Sequence, residues 1–402
     1  MQFINGELYW TKKDKIKRIY PYLTYDANCD VLIIGGGICG ALTAYYLAKE
    51  GMNIIIVEKN IIGYSNTSVS SAVMDYSIDI DLNKLEKIIG ENQAKKIYKL
   101  CYNAINEIEK IDNEFEEDTE FSRKDSLYFS NKFMQKMGME KECEERKKIG
   151  FDTKYVNNSN IIKMNNGILT KKSSAVMNPY KFTQELFMYL AKFENVRIYE
   201  STSVEEIYPK YDCVECYTNN NFLITANKVI FTTGVETFKF INQIPAQVYK
   251  SFAIVTKPAL ELRNSNINFI AKDVSDSSHY IRFTDDLRII YEGEEVKYTD
   301  KLNSDKYLEN MAESKYRKLF YSLKKTFENI ENISIDYAFN GTYADTKDKL
   351  PIIDEIETMP NCFCNLGFGS NGILYSTIGA QILKDAVKGY YTKDMNLFKI
   401  NR

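Results

Sequence analysis

Residues 30–58 read DVLIIGGGICGALTAYYLAKEGMNIIIVE. An apolar, β-branched run of strand length ends in three glycines, and Gly40 completes the spacing Gly-x-Gly-x-x-Gly. A helical spacing of apolar residues follows, and a second β-branched run ends at Glu58. Strand, glycine turn, helix, strand and acid within about 30 residues form the context in which this spacing is meaningful. The stretch therefore predicts a dinucleotide-binding unit.

The glycines of this stretch have separate physical tasks. Gly35 permits the tight turn, Gly37 lets the backbone approach a pyrophosphate, and Gly40 lets the helix pack closely on the strand. The helix N-terminus presents unpaired N–H groups and a partial positive charge to the phosphates. Glu58 stands where a carboxylate can accept hydrogen bonds from ribose hydroxyls, and an acid there disfavours the 2′-phosphate of NADP.

Composition excludes several classes of protein. A chain of 402 residues is long enough for two domains, or for one large fold with an inserted lobe. The formal net charge of −3 gives no electrostatic support for nucleic-acid binding. No apolar run reaches the roughly 18 residues that span a bilayer, and the N-terminus lacks the apolar core of a signal peptide. We therefore expect no membrane span and a cytoplasmic address.

Cysteine usage argues against a disulfide framework or a metal site. Eight cysteines in so long a chain are typical of reduced, mostly packed thiols. The close pairs are Cys213/Cys216 and Cys362/Cys364, and the chain has one histidine and no second Cys-x-x-Cys. We therefore predict no metal.

Residues 60–76, IIGYSNTSVSSAVMDYS, are small and rich in hydroxyl groups. Directly after an acid-terminated strand, such a segment can lay hydroxyls and N–H groups along a pyrophosphate. The alternative interpretation is a flexible, serine-rich linker.

The rest of the chain predicts a mixed α/β (α+β) fold. Apolar spacing predicts a helix over 81–115 and an antiparallel meander over 204–226, whereas 151–172 resembles a loop. Nucleotide-binding signals recur near residues 35, 65, 204, 233 and 370, so we expect a discontinuous Rossmann-type domain with an inserted antiparallel-sheet substrate domain. The predicted division assigns 28–115, 165–245 and 330–402 to the nucleotide-binding domain, 116–164 and 246–329 to the substrate domain, and 1–27 to an N-terminal arm.

Four motifs in order carry a resemblance to a known family. They are DVLIIGGGICG with Glu58, GYSNTSVSSA, KVIFTTGVET, and GTYADTKDKLPIID followed by NLGFGSNGI. Over about residues 28–390 the chain resembles the FAD-dependent D-amino-acid oxidase superfamily, which includes glycine oxidase, sarcosine oxidase and amine dehydrogenase-like enzymes. The resemblance implies an FAD-binding domain of Rossmann type and FAD as cofactor.

The resemblance also implies which residues hold the FAD. The segment from Ser370 to Leu374 would bracket the flavin ring at a helix N-terminus, which suits negative charge on the reduced ring. Val204 would pair its backbone with the adenine. The full set is Gly35, Gly37, Ile38, Cys39, Gly40, Glu58, Lys59, Asn66, Thr67, Ser71, Ala72, Val73, Val204, Thr233, Gly234, Gly369, Ser370, Asn371, Gly372, Ile373 and Leu374.

The chain departs from the family's pattern at its covalent tether. Sarcosine oxidase attaches FAD through a cysteine in the segment that matches 342–346, which here reads Thr-Tyr-Ala-Asp-Thr. No histidine lies near the glycine turn either. Non-covalent FAD is therefore expected.

A second departure concerns the substrate. Glycine and D-amino-acid oxidases carry an arginine where this chain has Thr284, and here the arginine stands at Arg282. Tyr280, Arg282 and Thr284 alternate along one strand and so share a face. We predict that Arg282 anchors a substrate carboxylate through its two-pronged guanidinium, with Tyr280 as a phenolic partner. The alternative for Arg282 is a salt bridge on the surface or between lobes.

The function implied by the resemblance is that of an FAD-dependent oxidoreductase enzyme. It would oxidise the C–N bond of an amino acid or amine by hydride transfer to flavin N5. Two alternatives stay open: a C–O-oxidising relative of the 2-hydroxy-acid or glycerol-phosphate type, and a flavin-binding subunit without independent turnover. The expected partners are a small amine or amino-acid substrate and an electron acceptor or partner subunit.

Overall fold

The computed structural model describes residues 4–241, 244–274 and 278–402. Its α-helices, numbered in chain order, are α1 (Tyr9–Lys13), α2 (Ile38–Lys49), α3 (Leu82–Ile89), α4 (Glu91–Asp112), α5 (Lys136–Lys148), α6 (Pro179–Leu190), α7 (Asp305–Thr326) and α8 (Gly372–Ala386). Its strands are β1 (Ile4–Gly6), β2 (Ala27–Ile34), β3 (Ile54–Val57), β4 (Val73–Asp75), β5 (Ser122–Ser130), β6 (Thr153–Val156), β7 (Asn166–Val176), β8 (Val196–Tyr199), β9 (Val204–Pro209), β10 (Val214–Thr218), β11 (Leu223–Phe231), β12 (Ala246–Thr256), β13 (Phe269–Asp273), β14 (His279–Phe283), β15 (Ile289–Lys297), β16 (Ile335–Thr346), β17 (Ile352–Glu355) and β18 (Cys362–Leu366).

The smaller of two sheets is built around the glycine turn. Its strands follow the order β17-β18-β11-β2-β3-β8, and β10 and β9 continue from β11 as a meander. The strands from β18 to β8 run parallel, so their β-branched residues are buried on both faces. Ile33 and Ile56 pack with α2, α4 and α8, while Leu32 and Ile55 pack into the core on the opposite face. The structure thus confirms the α/β class and its Rossmann-type part.

The larger sheet has ten strands and is mostly antiparallel. Its order is β1-β16-β12-β15-β14-β13-β5-β7-β4, and β6 pairs with β7. One face packs on α7 through residues such as Phe252, Tyr291 and Leu319, all of which are fully buried. On the opposite face, part of β12, β14, β15 and β16 packs against Trp10 and Tyr180, and the rest is available to line a cavity.

The structure corrects two local predictions and confirms a third. The predicted loop 151–172 is wrong, because β6 and the first half of β7 pair there as antiparallel strands. The predicted helix 81–115 is broken into α3 and α4 at Gly90, whose φ of +89° suits glycine. The predicted meander over 204–226 is confirmed by the pairing of β9, β10 and β11.

Parts of the segment 4–27 pack on the body of the protein. Strand β1 pairs with β16, and the fully buried Trp10 donates from Nε1 to the carbonyl of Ser70 at 2.8 Å. The division into domains stays a prediction. Its boundaries at 165 and 330 placed β7 and β16 in the nucleotide-binding domain, whereas both strands pair within the larger sheet.

Across the described ranges, none of the helices combines the length and the apolar character needed to cross a bilayer. The cytoplasmic address stays a prediction.

Candidate functional site

A cavity of about 490 Å³ lies where the two sheets meet. At one end it is lined by the turn after β2, the end of β3 and the residues after β11. The segment 65–73 and the turn before α8 form its middle, and strands β15 and β16 form the wall at the other end. The cavity therefore connects the predicted nucleotide-binding turn with one face of the larger sheet.

The glycine turn has the geometry that its spacing predicts. Gly35 has a φ of +117°, and a Cβ on Gly40 would stand 2.0 Å from the carbonyl oxygen of Gly35. Only glycine allows α2 to approach the turn so closely. Gly37 is the N-cap of α2 and lines the cavity. A Cβ added to Gly37 would stand 3.2 Å from Oγ1 of Thr67. The N-terminus of α2 therefore meets the cavity through bare backbone.

The carboxylate of Glu58 is fixed by backbone donors. Oε2 accepts from the N–H of Gly36 at 2.8 Å, and Oε1 accepts from the N–H of Asn60 at 2.9 Å. The side chain lines the cavity but is only 9% exposed, and burial raises the pKa of its carboxyl. Each oxygen keeps a further lone pair, so Glu58 can accept from a pair of hydroxyl groups.

The hydroxyl-rich segment is ordered against both sheets. Residues Asn66–Val69 form a 3-10 helix, and Thr67 accepts at Oγ1 from the N–H of Ile38 at 3.1 Å. Asn66 donates from Nδ2 to the carbonyl of Thr342 at 2.6 Å. Its Oδ1 is buried and has no hydrogen-bond partner among the described residues, so it is available to a ligand donor. The alternative of a flexible linker is wrong.

The turn before α8 is held by its own side chains. Asn371 donates from Nδ2 to the carbonyls of Asp75 at 3.2 Å and Ser77 at 2.9 Å. Gly369, with a φ of +82°, and Gly372 line the cavity next to the first turn of α8. The positive end of the α8 dipole therefore lies at the cavity wall.

Most predicted cofactor residues line the cavity, and four do not. Gly40 acts through packing, Ala72 occupies a left-handed position with a φ of +50°, and Asn371 and Leu374 are buried behind the turn. The lining members of the predicted set are Gly35, Gly37, Ile38, Cys39, Glu58, Lys59, Asn66, Thr67, Ser71, Val73, Val204, Thr233, Gly234, Gly369, Ser370, Gly372 and Ile373.

The structure corrects the prediction for Arg282. Its guanidinium donates from Nη1 to the carbonyls of Ser71 at 2.7 Å and Met177 at 2.8 Å, and it lies 5.1 Å from the ring centre of Trp10. Burial to 2% exposure lowers its pKa to about 10. Arg282 does not line the cavity. The 71–72 backbone and Trp10 cover this part of the strand, so Arg282 is not placed to anchor a substrate.

Tyr280, the other predicted catalytic residue, does line the cavity. Its hydroxyl donates to Asp79, which also forms an ion pair with Lys272 and accepts from Oγ of Ser370 at 2.5 Å. Burial opposes the charged form of Asp79, but Lys272 and these donors outweigh it and lower the pKa to about 2. Asp79 therefore stays ionised and orients the phenol of Tyr280 toward the turn before α8.

Two acids on the cavity wall had no predicted role: Glu292, for which the sequence suggested none, and Glu295, which sequence reasoning missed. Glu292 accepts at Oε1 from Oγ of Ser251 at 3.1 Å, and Glu295 interacts with the phenol of Tyr343. Burial raises the pKa of both carboxyls. The available signal was the run Glu292-Gly-Glu-Glu, since acids around a glycine are unusual in a strand of a large sheet.

The family model described as "DAO: FAD dependent oxidoreductase" matches residues 30–386. The chain belongs to this family. Its members are FAD-dependent oxidoreductases, so this chain is an enzyme of that class and its cofactor is FAD.

Similar proteins support the assignment to the DAO family. YhfW of Bacillus subtilis, named as a Rieske 2Fe-2S iron-sulfur protein, is 26% identical over 387 residues, covering 95% of this chain and 73% of the relative. The gamma-glutamylputrescine oxidoreductase of Escherichia coli is 22% identical over 386 residues, covering 92% and 86%. The solved L-proline dehydrogenase from P. horikoshii superposes with a TM-score of 0.75 at 20% identity, covering 94% and 98%.

The cavity fits the FAD of the DAO family. Bare backbone at Gly37 and the N-terminus of α2 suit a pyrophosphate, and Glu58 suits a ribose. The unpartnered Oδ1 of Asn66 and the N-terminus of α8 lie farther along the same cavity, where the ring would be held.

Proposed function

We propose that this enzyme oxidises the C–N bond of an amine or amino acid. The observation that carries the proposal is the continuity of the cavity. It runs from the glycine turn at Gly35 to a polar face of the larger sheet at Ser251, Tyr280 and Glu292. One cavity can therefore hold the nucleotide at one end and a small polar substrate at the other.

Bound FAD supplies the oxidant for this reaction, as the acceptor of the hydride that leaves the substrate carbon. The chain's own residues bind and orient the amine. Tyr280 and Ser251 carry hydroxyl groups that can hydrogen-bond to it. Glu292 attracts the ammonium form and can accept its proton, so that hydride leaves the carbon of a neutral amine and the resulting iminium is hydrolysed by water. The larger sheet and the 65–73 segment enclose the substrate, which limits the access of water.

The same wall disfavours the alternative of C–O oxidation. A glycerol phosphate, or a 2-hydroxy acid, which lacks the compensating ammonium group of an amino acid, would bring net negative charge against Glu292 and Glu295. Like charges at close range in a partly buried site repel strongly. With Arg282 turned away from the cavity, such an anion would also lack the cation that we predicted for it.

The test is the anaerobic reduction of the flavin in the purified protein. Acid precipitation first releases the cofactor, and FAD in the supernatant confirms non-covalent attachment. The intact protein is then mixed with amines, amino acids, 2-hydroxy acids and glycerol phosphate. We expect loss of the oxidised flavin's visible absorbance with one or more amines or amino acids. Reduction only by hydroxy compounds would favour C–O oxidation, and reduction by none would favour a flavin-binding subunit.

A further inference from the structure

A bulge in β15 places two carboxylates on the cavity wall. Phe252 pairs with Gly293 and Lys250 pairs with Val296, so two residues of β15 stand opposite the single residue Ser251. Residues three positions apart on a regular strand face opposite sides. The extra residue cancels this alternation, and Glu292 and Glu295 therefore share the cavity face.

The acid between them faces the other way. Glu294, with a φ of +55°, forms an ion pair with Lys315 of α7 at 3.0 Å and lies 3.9 Å from Nε2 of His279. Its charge is compensated on the far side of the sheet. The bulge thus separates one structural carboxylate from two that face the cavity.

Glu292 and Glu295 have no ion-pair partner among residues 4–241, 244–274 and 278–402. The acids nearby are compensated, Asp79 by Lys272 and Asp345 by Lys349. The lysines that line the cavity, Lys59 and Lys239, both pair with Glu236 at the nucleotide end. The sheet end of the cavity therefore carries net negative charge.

A further acceptor stands beside this wall. Asp345 is 5% exposed, and its Oδ1 has no hydrogen-bond partner in the described part of the chain. That oxygen lies 3.5 Å from the point where a Cβ on Gly369, a lining residue, would stand. A buried acceptor without a donor is costly, and a ligand N–H satisfies it.

We propose that the enzyme's substrate is a short α,ω-diamine, with one nitrogen at Glu292 and the distal ammonium at Glu295. This inference rests on the proposed C–N oxidation, since it names the substrate of the same cavity. Glu292 is the inner partner, because it contacts Ser71 of the 65–73 segment. Glu295 is the outer partner, because its side chain is more exposed to solvent than that of Glu292.

The length of the diamine follows from the strand. Because the bulge inserts one extra residue, Glu292 and Glu295 are neighbours on one face, like positions two apart on a regular strand. Such positions are separated by about 6.6 Å. Two nitrogens joined by a four-carbon chain are separated by five bonds of about 1.5 Å, which in a zigzag span about 6 Å. A four-carbon spacer therefore matches the two carboxylates.

The experiment compares three probes of equal chain length on the FAD-loaded protein. They are 1,4-diaminobutane, 1-aminobutane and 4-aminobutanoate, whose distal groups are a cation, a methyl group and an anion. Dissociation constants come from equilibrium dialysis and, separately, from the concentration dependence of anaerobic flavin reduction. We expect the diamine to bind about tenfold to a hundredfold more tightly than the monoamine, and the amino acid to bind most weakly.

Two matched variants locate the effect. Glu295→Gln is expected to reduce the ratio of diamine to monoamine affinity by about tenfold or more. Glu294→Gln, one position away but on the other face, is expected to keep the wild-type ratio. The FAD content of each protein is measured first, so that a misfolded variant is recognised.

The outcomes separate the two proposals. Diamine binding in dialysis without flavin reduction by any amine overturns C–N oxidation, and with it the diamine as substrate, but leaves the binding site at Glu292 and Glu295 standing. Flavin reduction by amines with equal affinities for the diamine and the monoamine, or equal effects of Glu294→Gln and Glu295→Gln, overturns the diamine site and leaves C–N oxidation standing.

Discussion

Glu142 and Arg146 on α5 form a buried ion pair whose disruption should destabilise the protein strongly. Both side chains are at most 4% exposed, and Nε of Arg146 lies 2.9 Å from Oε1 of Glu142. The same carboxylate accepts from the backbone N–H groups of Leu82 and Asn83 at 2.7 and 3.2 Å, at the start of α3. Arg146 also donates to the hydroxyl of Tyr76 at 3.1 Å. The pair thus joins α5 to α3 and to the chain leaving β4.

Glu142→Leu removes the carboxylate and leaves both kinds of donor buried. Breaking a buried pair from one side costs about 3–5 kcal/mol, since the remaining charge has no partner. Loss of the acceptor at the α3 N-terminus costs about 1 kcal/mol more. We therefore expect the free energy of unfolding to fall by about 5 kcal/mol, measured by urea denaturation at a fixed FAD concentration.

The double variant tests this reasoning. The double variant Glu142→Leu/Arg146→Met contains no uncompensated buried charge. Its free energy of unfolding should therefore fall by several kcal/mol less than the sum of the decreases in the two single variants. If the double variant instead loses as much free energy of unfolding as the two single variants together, the two residues are not coupled. A single Glu142→Leu loss below about 1 kcal/mol, the range of exposed pairs, would refute the burial argument itself.

Three further predictions concern Gly37, Arg282 and Lys250. Gly37→Val should abolish FAD binding, read as the ratio of flavin to protein absorbance, because its Cβ stands 3.2 Å from Oγ1 of Thr67 and additional atoms would extend toward the pyrophosphate. Retained stoichiometric FAD would contradict this. Arg282→Met should leave the affinity for benzoate or acetate unchanged in a flavin-absorbance titration, yet lower stability by about 1–3 kcal/mol, because two carbonyls lose their donor. A large loss of carboxylate affinity would return Arg282 to the site. Burial lowers the pKa of Lys250 from 10.5 to about 8, so the unfolded chain binds more protons between these values and stability rises with pH there. Relative to Lys250→Met, wild type should gain up to about 3 kcal/mol over this range, and parallel pH profiles in urea denaturation would contradict it.

The nucleotide-binding half was predictable because its signals are local. The turn at Gly35, the close approach at Gly40 and the acid at Glu58 lie within one strand–helix–strand unit, so their spacing alone determines their geometry. The C-terminal turn at Gly369 was reached only through the family resemblance. Its position beside the segment 65–73 depends on strands far apart in the sequence.

The substrate end was less predictable because its geometry depends on distant neighbours. The alternation of side chains along a strand correctly placed Tyr280 and Arg282 on one face. It could not show that Trp10 and the 71–72 backbone cover Arg282, because these groups come from other parts of the chain. The pairing of β12 with β15 creates the bulge that brings Glu295 beside Glu292. From the sequence alone, the regular alternation of a strand would place these two acids on opposite faces.

The order of strands in the smaller sheet has a consequence during synthesis on the ribosome. The glycine turn at residues 35–40 is made early, but β11 and then β18 at Cys362–Leu366 must be added before the parallel sheet is complete. Asn365 also donates from Nδ2 to Oγ1 of Thr43 on α2 at 3.1 Å, so a late segment completes the contacts of the helix whose N-terminus faces the cavity. Contacts so distant in sequence form slowly and leave apolar strand edges exposed in the nascent chain. The complete FAD site therefore exists only after translation has passed α8, and a chain that stops before residue 362 cannot form it.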